Sequence, residues 1–311
     1  MKNNDKKEDI ITKLKEIFGA EKGQLVIDNI TSSKPKTFRL NLLKTPSEKD
    51  FDDIKKSIVP GIIPNSFVVI DQLQISKTKL NEDKKIYIQE LASMLPVIAL
   101  NPKAGERILD MCSSPGSKTS MIQSLTNNKA AVTAVEKSLG RFYKLKEIVT
   151  EQGCENVEFV HSDANYLIKR DYALEGSFDK VLLDAPCSNE GGIVLSEPST
   201  YKYWSGREAK QISKLQKGLL NTASKLVKVG GEIIYSTCTF SVEENEEVLD
   251  WFLKRSDNFE ILKTNLGLEN SIPGLTSYKE KTYSKQVSNS LRVLPDNYFK
   301  GFFLAKLKRL R

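Results

Sequence analysis

The spacing of apolar and polar residues changes character near residue 85. Before it, Ile10, Leu14, Ile17 and Phe18 fall on one face at helical spacing, which predicts a helix over 10–18. Short apolar runs over 38–43 and 66–70 read as strands, with turn signals at Pro60-Gly61 and Pro64-Asn65 between them. Residues 81–85 read as a polar link. The expected product is a small α+β unit.

From about residue 86 strands and helices alternate. Apolar runs predict strands at 107–111, 130–135, 157–160, 178–183 and 232–236. Helical spacing falls between them at 118–125, 139–150 and 208–227, the last closed by Gly230-Gly231. A helix over 242–254 and strands at 259–262 and 301–307 follow. Such alternation specifies a doubly wound α/β sheet. The expected division is an N-terminal module over 1–85 and an α/β domain over 86–311. Irregular stretches at 188–206 and 263–290 are expected to shape the site, as loops beyond strand ends do.

Composition refines this picture. Of 311 residues, 39% are apolar, enough for a sizeable core. No apolar run reaches the length of a transmembrane helix, and the N-terminus lacks the apolar stretch of a signal peptide. A soluble, cytoplasmic protein is expected. The four cysteines, Cys112, Cys154, Cys187 and Cys238, form no C-x-x-C pair, and His161 is the single histidine. Neither a zinc site nor a disulfide framework is expected. The net charge of +7 suits a polyanionic partner. Residues 1–85 hold 17 basic and 13 acidic side chains; residues 279–311 hold nine and two. Charge alone fits a solvated chain end as well as a phosphate-contacting surface.

Candidate chemistry begins after the first predicted strand. Leu109-Asp-Met-Cys-Ser-Ser-Pro-Gly-Ser-Lys-Thr119 is a small-residue turn opening a helix, where backbone amides can approach a ligand. With Gly116 as its only glycine, it matches neither a dinucleotide fingerprint nor a P-loop. By itself this is an ordinary tight turn. Glu136 ends the second strand, 20 residues after Gly116, where an acid can accept hydrogen bonds from two ribose hydroxyls. Asp163 follows the third strand, where an adenine edge would lie. Ribose and adenine contacts without a pyrophosphate cradle point to S-adenosylmethionine. Two cysteines end the next two strands, in Asp184-Ala-Pro-Cys187 and Tyr235-Ser-Thr-Cys238. Isolated cysteines are mostly core residues, but two at equivalent strand ends suggest chemistry.

These three motifs resemble the Sun/Fmu (RsmB-like) family of S-adenosylmethionine-dependent RNA 5-methylcytosine methyltransferases. Ile88-Gln-Glu-Leu-Ala-Ser-Met-Leu-Pro96, Glu243-Glu-Asn-Glu246, and Arg292-Val-Leu-Pro295 followed by Gly301-Phe-Phe also match, so the resemblance covers about residues 36–311. It implies a Rossmann-like class I methyltransferase sheet with a small RNA-recognition-like module over 1–85. It implies that Cys238 is the nucleophile at cytosine C6, because unactivated C5 is too poor a nucleophile to accept a methyl group and a thiol adduct converts it to an enamine. Asp184 would hold cytosine N3 and the exocyclic amine, and Cys187 would release the product. Cys112, Ser113, Ser114, Pro115, Gly116, Ser117 and Lys118 would wrap the methionine end of the cofactor, Glu136 the ribose and Asp163 the adenine, with Arg141 and Asp184 close by. Lys118 reads equally as a solvated first-turn lysine. The partner implied is structured RNA, transfer or ribosomal, bound by a monomer.

Two local features qualify the resemblance. Ser241-Val-Glu-Glu244 is a capping-box pattern, so a helix N-terminus near Cys238 would favour a thiolate, while Glu243, Glu244 and Glu246 would oppose it. Where the family usually has glycine after Cys-Ser, this chain has Asn189. Other classes fit less well. A DNA cytosine methyltransferase would carry its nucleophile in the Pro-Cys motif; an amino-group methyltransferase would show a Pro-Pro-Tyr or Pro-Pro-Phe motif. A NAD-dependent oxidoreductase fails on the glycine pattern. A catalytically silent RNA-binding protein of the same fold would be expected to lose Cys238, Cys187 or Asp184, and all three are present.

Overall fold

The computed structural model describes residues 3–311. Packing divides the chain into two compact units, each assembled from separate segments. One comprises residues 1–34, 185–221 and 235–311; the other comprises 35–184 and 222–234.

The second unit begins with an antiparallel sheet of β1 (Thr37–Leu40), β2 (Ile58–Pro60), β3 (Ser66–Val69) and β4 (Ile86–Ile88), in the order β2-β3-β1-β4. Phe38 on β1 lies opposite Phe67 and Ile88. It packs with Ile54, Val69, Ile75, Leu80 and Ile86 in a core of its own. A larger sheet follows, built from β5 (Arg107–Asp110), β6 (Ala131–Glu136), β7 (Val157–His161), β8 (Phe178–Asp184) and β9 (Val227–Thr237), in the order β9-β8-β5-β6-β7. β5 runs parallel to β6 and β8, and β6 to β7. Strand order reverses between β5 and β8, the position where ligands bind in doubly wound sheets. Asp110 and Asp184 end those two strands.

The first unit holds helices Asn3–Phe18 and Ala20–Asn29, helix Glu246–Leu253, and the last three residues of β9. Its strands are β10 (Phe259–Leu262), β11 (Ser271–Pro273), the small hairpin of β12 (Ser277–Tyr278) and β13 (Lys281–Thr282), β14 (Leu291–Val293) and β15 (Phe302–Arg309). β14 pairs antiparallel with β11 and β15, and β10 pairs with β15. Here an ion pair is fully buried. Arg292 Nε donates to Glu246 Oε1 at 2.6 Å and Nη2 to Oε2 at 2.5 Å, while Nη1 donates to Phe240 O at 2.9 Å. The rings of Phe18 and Phe303 flank the guanidinium.

Several local expectations are corrected. Gly230-Gly231 does not end a helix: helix Glu208–Leu226 passes directly into β9, and both glycines lie inside the strand. Gly231 is needed there because a Cβ would sit 2.6 Å from Asp179 O. The strand expected over 38–43 stops at Leu40, since the Asn41 side chain accepts from Leu43 N and turns the chain into a 3-10 helix. The capping box at Ser241 is absent: Asn245 is the N-cap, the helix starts at Glu246, and the Ser241 hydroxyl donates to Glu243 instead. Helix Leu91–Leu100 was not foreseen, because a segment apolar on nearly every face carries no 3.6-residue alternation. The polar link over 81–85 overlaps a one-turn helix, Lys79–Glu82, and residues 263–290 hold three of the short strands.

Removing one partner of a buried ion pair leaves an uncompensated charge. Arg292→Met is therefore expected to cost about 3–5 kcal/mol of stability, read as a lower urea midpoint at unchanged slope.

Candidate active site

The second unit holds a cavity of about 300 Å³ at the C-terminal ends of β5 and β8. Its wall includes Asp110, Cys112, Ser113, Ser114, Pro115, Ser117, Lys118 and Asp184. Gly116 makes the turn possible. It adopts φ 107°, and a Cβ there would lie 2.7 Å from Val149 Cγ2. Ser113 ties the turn to the sheet: its hydroxyl donates to Asp110 O at 2.7 Å and accepts from Val135 N at 2.9 Å. Asp110 is buried, which pushes its carboxyl up to about 6 against the Thr119 hydroxyl bond at 2.7 Å. Its Oδ1 has no hydrogen-bond partner. Burial, reinforced by Asp110, raises the Cys112 thiol, so it stays neutral. Three carboxylates on the wall, Glu90, Asp110 and Asp184, one of them with an unmet acceptor, suit a cationic ligand with N–H donors.

Lys118 is not a solvated first-turn lysine. It is 9% exposed, and its Nζ lies 2.6 Å from Asp184 Oδ2 and 3.0 Å from Ser93 Oγ. Arg141 Nη2 donates to Ser114 O at 3.0 Å and lies 3.8 Å from Glu136 Oε2, which joins the turn to the end of β6. Glu136 is buried and accepts from Ser138 N. Asp163 follows β7 and binds Lys137 Nζ at 2.7 Å and Asn165 N at 3.0 Å. Glu136, Arg141 and Asp163 thus cluster beyond the turn, outside the cavity wall itself. Tyr87, Ile88, Gln89, Glu90 and Ser93 complete that wall. Ile88, Gln89, Glu90 and Ser93 belong to the family-like motif over 88–96, whose pattern does not show that it faces the turn. His161, near Lys137 O and the Phe142 ring, also belongs to the second unit.

Cys187 and Cys238 lie in the first unit. Cys187 Sγ and Cys238 Sγ are 2.9 Å apart, and Cys238 N donates to Cys187 Sγ at 3.3 Å. The hydrogen bond to Cys238, together with burial, holds the Cys187 thiol well above its ordinary range. Cys187 therefore keeps its proton beside the second sulfur. Two buried carboxylates join the segments that carry these cysteines. Glu244 accepts from Ser188 N at 3.0 Å, Ser188 Oγ at 2.5 Å and Gln216 Nε2 at 3.0 Å. Glu190 accepts from Thr239 Oγ1 at 3.1 Å, Trp204 Nε1 at 2.9 Å and Lys13 Nζ at 2.6 Å. Thr237 and Thr239, on either side of Cys238, both bond to Asn245. Because the helix starts only at Glu246, eight residues past Cys238, its N-terminal turn does not include the cysteine. Of the nearby acids, Glu244 holds Ser188 and Glu246 holds Arg292.

Asn189 adopts φ 56°, ψ 32°, the left-handed region that asparagine tolerates better than most non-glycine residues. The turn thus keeps a glycine-like backbone and gains a side chain. Its Oδ1 accepts from the Cys238 thiol at 3.2 Å. Gly191 cannot vary in the same way, since a Cβ would lie 2.1 Å from Gly301 O. Among the described residues no group of three or more His, Cys, Asp or Glu is placed to hold a metal, and no helix is long and apolar enough to cross a membrane.

Comparison with known proteins gives a consistent picture. A family model described as 16S rRNA methyltransferase RsmB/F matches residues 97–308. Ribosomal RNA small subunit methyltransferase F of Shewanella piezotolerans is 36% identical over 298 residues, covering 90% of this chain and 59% of that protein. The 25S rRNA (cytosine-C(5))-methyltransferase nop2 of Schizosaccharomyces pombe is 32% identical, over 96% of this chain and 50% of its own length. The chain thus spans only half to three-fifths of these curated relatives. A solved methyltransferase homolog protein from Pyrococcus horikoshii superposes with a TM-score of 0.81 at 29% identity, covering 97% of this chain and 98% of that one. The fold is that of a class I, Rossmann-like methyltransferase.

The left-handed turn predicts a graded response at position 189. Asn189→Gly is expected to change stability by less than about 0.5 kcal/mol, whereas β-branched Asn189→Val is expected to cost about 1–3 kcal/mol. Chemical denaturation of the three proteins side by side measures both values.

Proposed function

Because the chain belongs to the RsmB/F family of methyltransferases, we propose that it is an S-adenosylmethionine-dependent RNA cytosine-5 methyltransferase acting on ribosomal RNA through a covalent Cys238–C6 adduct. The observation that carries this reading is the pair of sulfurs 2.9 Å apart, with the Cys187 thiol raised above its ordinary range by its hydrogen bond to Cys238 and by burial. Covalent addition to a pyrimidine needs a thiol that forms a bond and later leaves, and a leaving thiolate needs a proton donor beside it.

In the proposed cycle Cys238 gives up its thiol proton to solvent and its Sγ bonds to C6, opening the C5–C6 double bond so that electron density moves to C5. Asp184, paired with Lys118, holds cytosine N3 and the exocyclic amine. S-adenosylmethionine, when bound, supplies the methyl group that C5 accepts. The C5 proton then leaves to a base, the C6–Sγ bond breaks, and Cys187 protonates the departing thiolate. In the cofactor role we place Cys112 to Lys118 around the methionine end, with Glu136 and Arg141 towards the ribose and Asp163 towards the adenine. The carboxylates of Asp110 and Asp184 on the cavity wall support a cationic ligand there.

Ribosomal RNA is preferred to transfer RNA because the relatives named above are ribosomal RNA enzymes. We retain residues 1–85 as an RNA-contacting module on its 17 basic side chains. The basic stretch over 279–311 is a second candidate for backbone contacts, which position RNA without reading its sequence.

Two variants test the cycle. Cys238→Ala is expected to abolish methyl transfer to RNA, and full activity in that variant would refute the mechanism. Cys187→Ala is expected to accumulate a covalent protein–RNA complex, visible as a shifted band on denaturing gels; clean turnover would remove its release role. Bisulfite sequencing of total RNA from cells with and without the gene identifies the cytosine, and a site lost from transfer RNA alone would overturn the substrate assignment.

A further inference from the structure

Arg39 is a buried cation that no carboxylate pairs with among the described residues. It stands on β1, within an antiparallel sheet that has its own apolar core, and is 3% exposed. Its Nε donates to Gln89 Oε1 at 2.9 Å, and its Nη2 donates to Ser120 Oγ at 2.8 Å and Ser117 O at 3.2 Å. The guanidinium carbon lies 5.0 Å from the centre of the Tyr87 ring. Burial lowers its pKa to about 10, so it is still charged at neutral pH. A buried cation facing only neutral dipoles is costly. Its guanidinium, held against the first turn of helix Ser117–Thr126, also opposes the helix dipole. An apolar side chain would fill the same space without either cost.

What an apolar side chain would not do is join these partners. Tyr87, Gln89 and Ser117 all line the cavity of the second unit, and Arg39 does not. The contacts continue inward: Gln89 Nε2 donates to Ser93 O at 3.2 Å, Ser93 Oγ receives Lys118 Nζ at 3.0 Å, and Lys118 pairs with Asp184 at 2.6 Å. A planar fork with five donors in fixed directions holds several acceptors in one geometry, which a lysine cannot.

We propose that Arg39 is a positioning residue for the cofactor: from the antiparallel sheet, it fixes the Tyr87 ring, the Gln89 amide and the first turn of helix Ser117–Thr126 as one wall of the pocket. This rests on the reading of that cavity as the S-adenosylmethionine site. Arg39 touches no substrate and acts through the wall it holds.

The test is calorimetric titration of the full-length protein with S-adenosylhomocysteine, without RNA. Arg39→Lys keeps the charge and loses the fork. It is expected to weaken binding about tenfold, the worth of one hydrogen bond to a charged group. Ser120→Ala removes one arm, together with the Ser120 hydroxyl's own bond to Gly116 O at 2.7 Å, and is expected to weaken binding about threefold; it is the second reading if Arg39→Lys does not fold. A lower melting temperature with unchanged affinity in the variant that folds would make Arg39 purely structural and overturn the proposal. Wild-type protein that fails to bind would defeat the pocket reading and this inference together. Wild-type binding matched by both variants would defeat the inference alone.

Discussion

Two buried carboxylates hold the nucleophile's surroundings together. Glu244 and Glu190 each reach across from one cysteine-bearing segment to the other, binding Ser188 from one side and Thr239 from the other. Buried acids are tolerated only where donors meet their oxygens, and here the donors are the residues next to the cysteines. The requirement to satisfy these carboxylates therefore fixes the backbone on which Cys187 and Cys238 stand. Their sulfurs meet at 2.9 Å as a result. Lys13 draws the N-terminal helix into the same arrangement through Glu190.

The second unit also buries charged groups, beside its cavity. Lys118 is buried against Asp184, Asp110 is buried with one oxygen unmet, and Arg39 is buried among neutral acceptors. Charged groups of this kind cost stability relative to an apolar core. They are concentrated where β5 and β8 part, at the position in a doubly wound sheet where strand ends leave room for a ligand. A site that keeps polar groups oriented before its ligand arrives avoids reorganisation when it binds.

Much of this was legible in the chain. Apolar runs alternating with helical spacing specified the doubly wound sheet, because its inner strands β5, β6 and β8 are largely buried. The turn from Asp110 to Thr119 announced itself by small residues, and the cysteines by their place at strand ends. Family membership followed from those motifs and agrees with the matched relatives. Local signals misled where long-range contacts outweighed them. Gly230-Gly231 resembled a helix stop but serves a close approach to Asp179 within β9. Ser241 to Glu244 resembled a capping box, but Glu244 is drawn to Ser188 and Gln216, and the helix begins only at Glu246.

The sequence alone therefore determined the order of elements, the chemistry available at each strand end and the residue types from which a methyl-transfer site is made. These depend on periodicity and short motifs, which are local properties of the chain. Only the tertiary structure decided which residues meet. Lys118 reads as a solvated lysine until Asp184, 66 positions later, is seen beside it. Arg39 reads as one charge in a basic segment until its guanidinium is found on Ser117 and Ser120. Cys187 and Cys238 read as two strand-end cysteines until their sulfurs are found 2.9 Å apart across 51 residues of chain. Pairings at that separation leave no periodic trace, because they are set by how the sheets and loops pack.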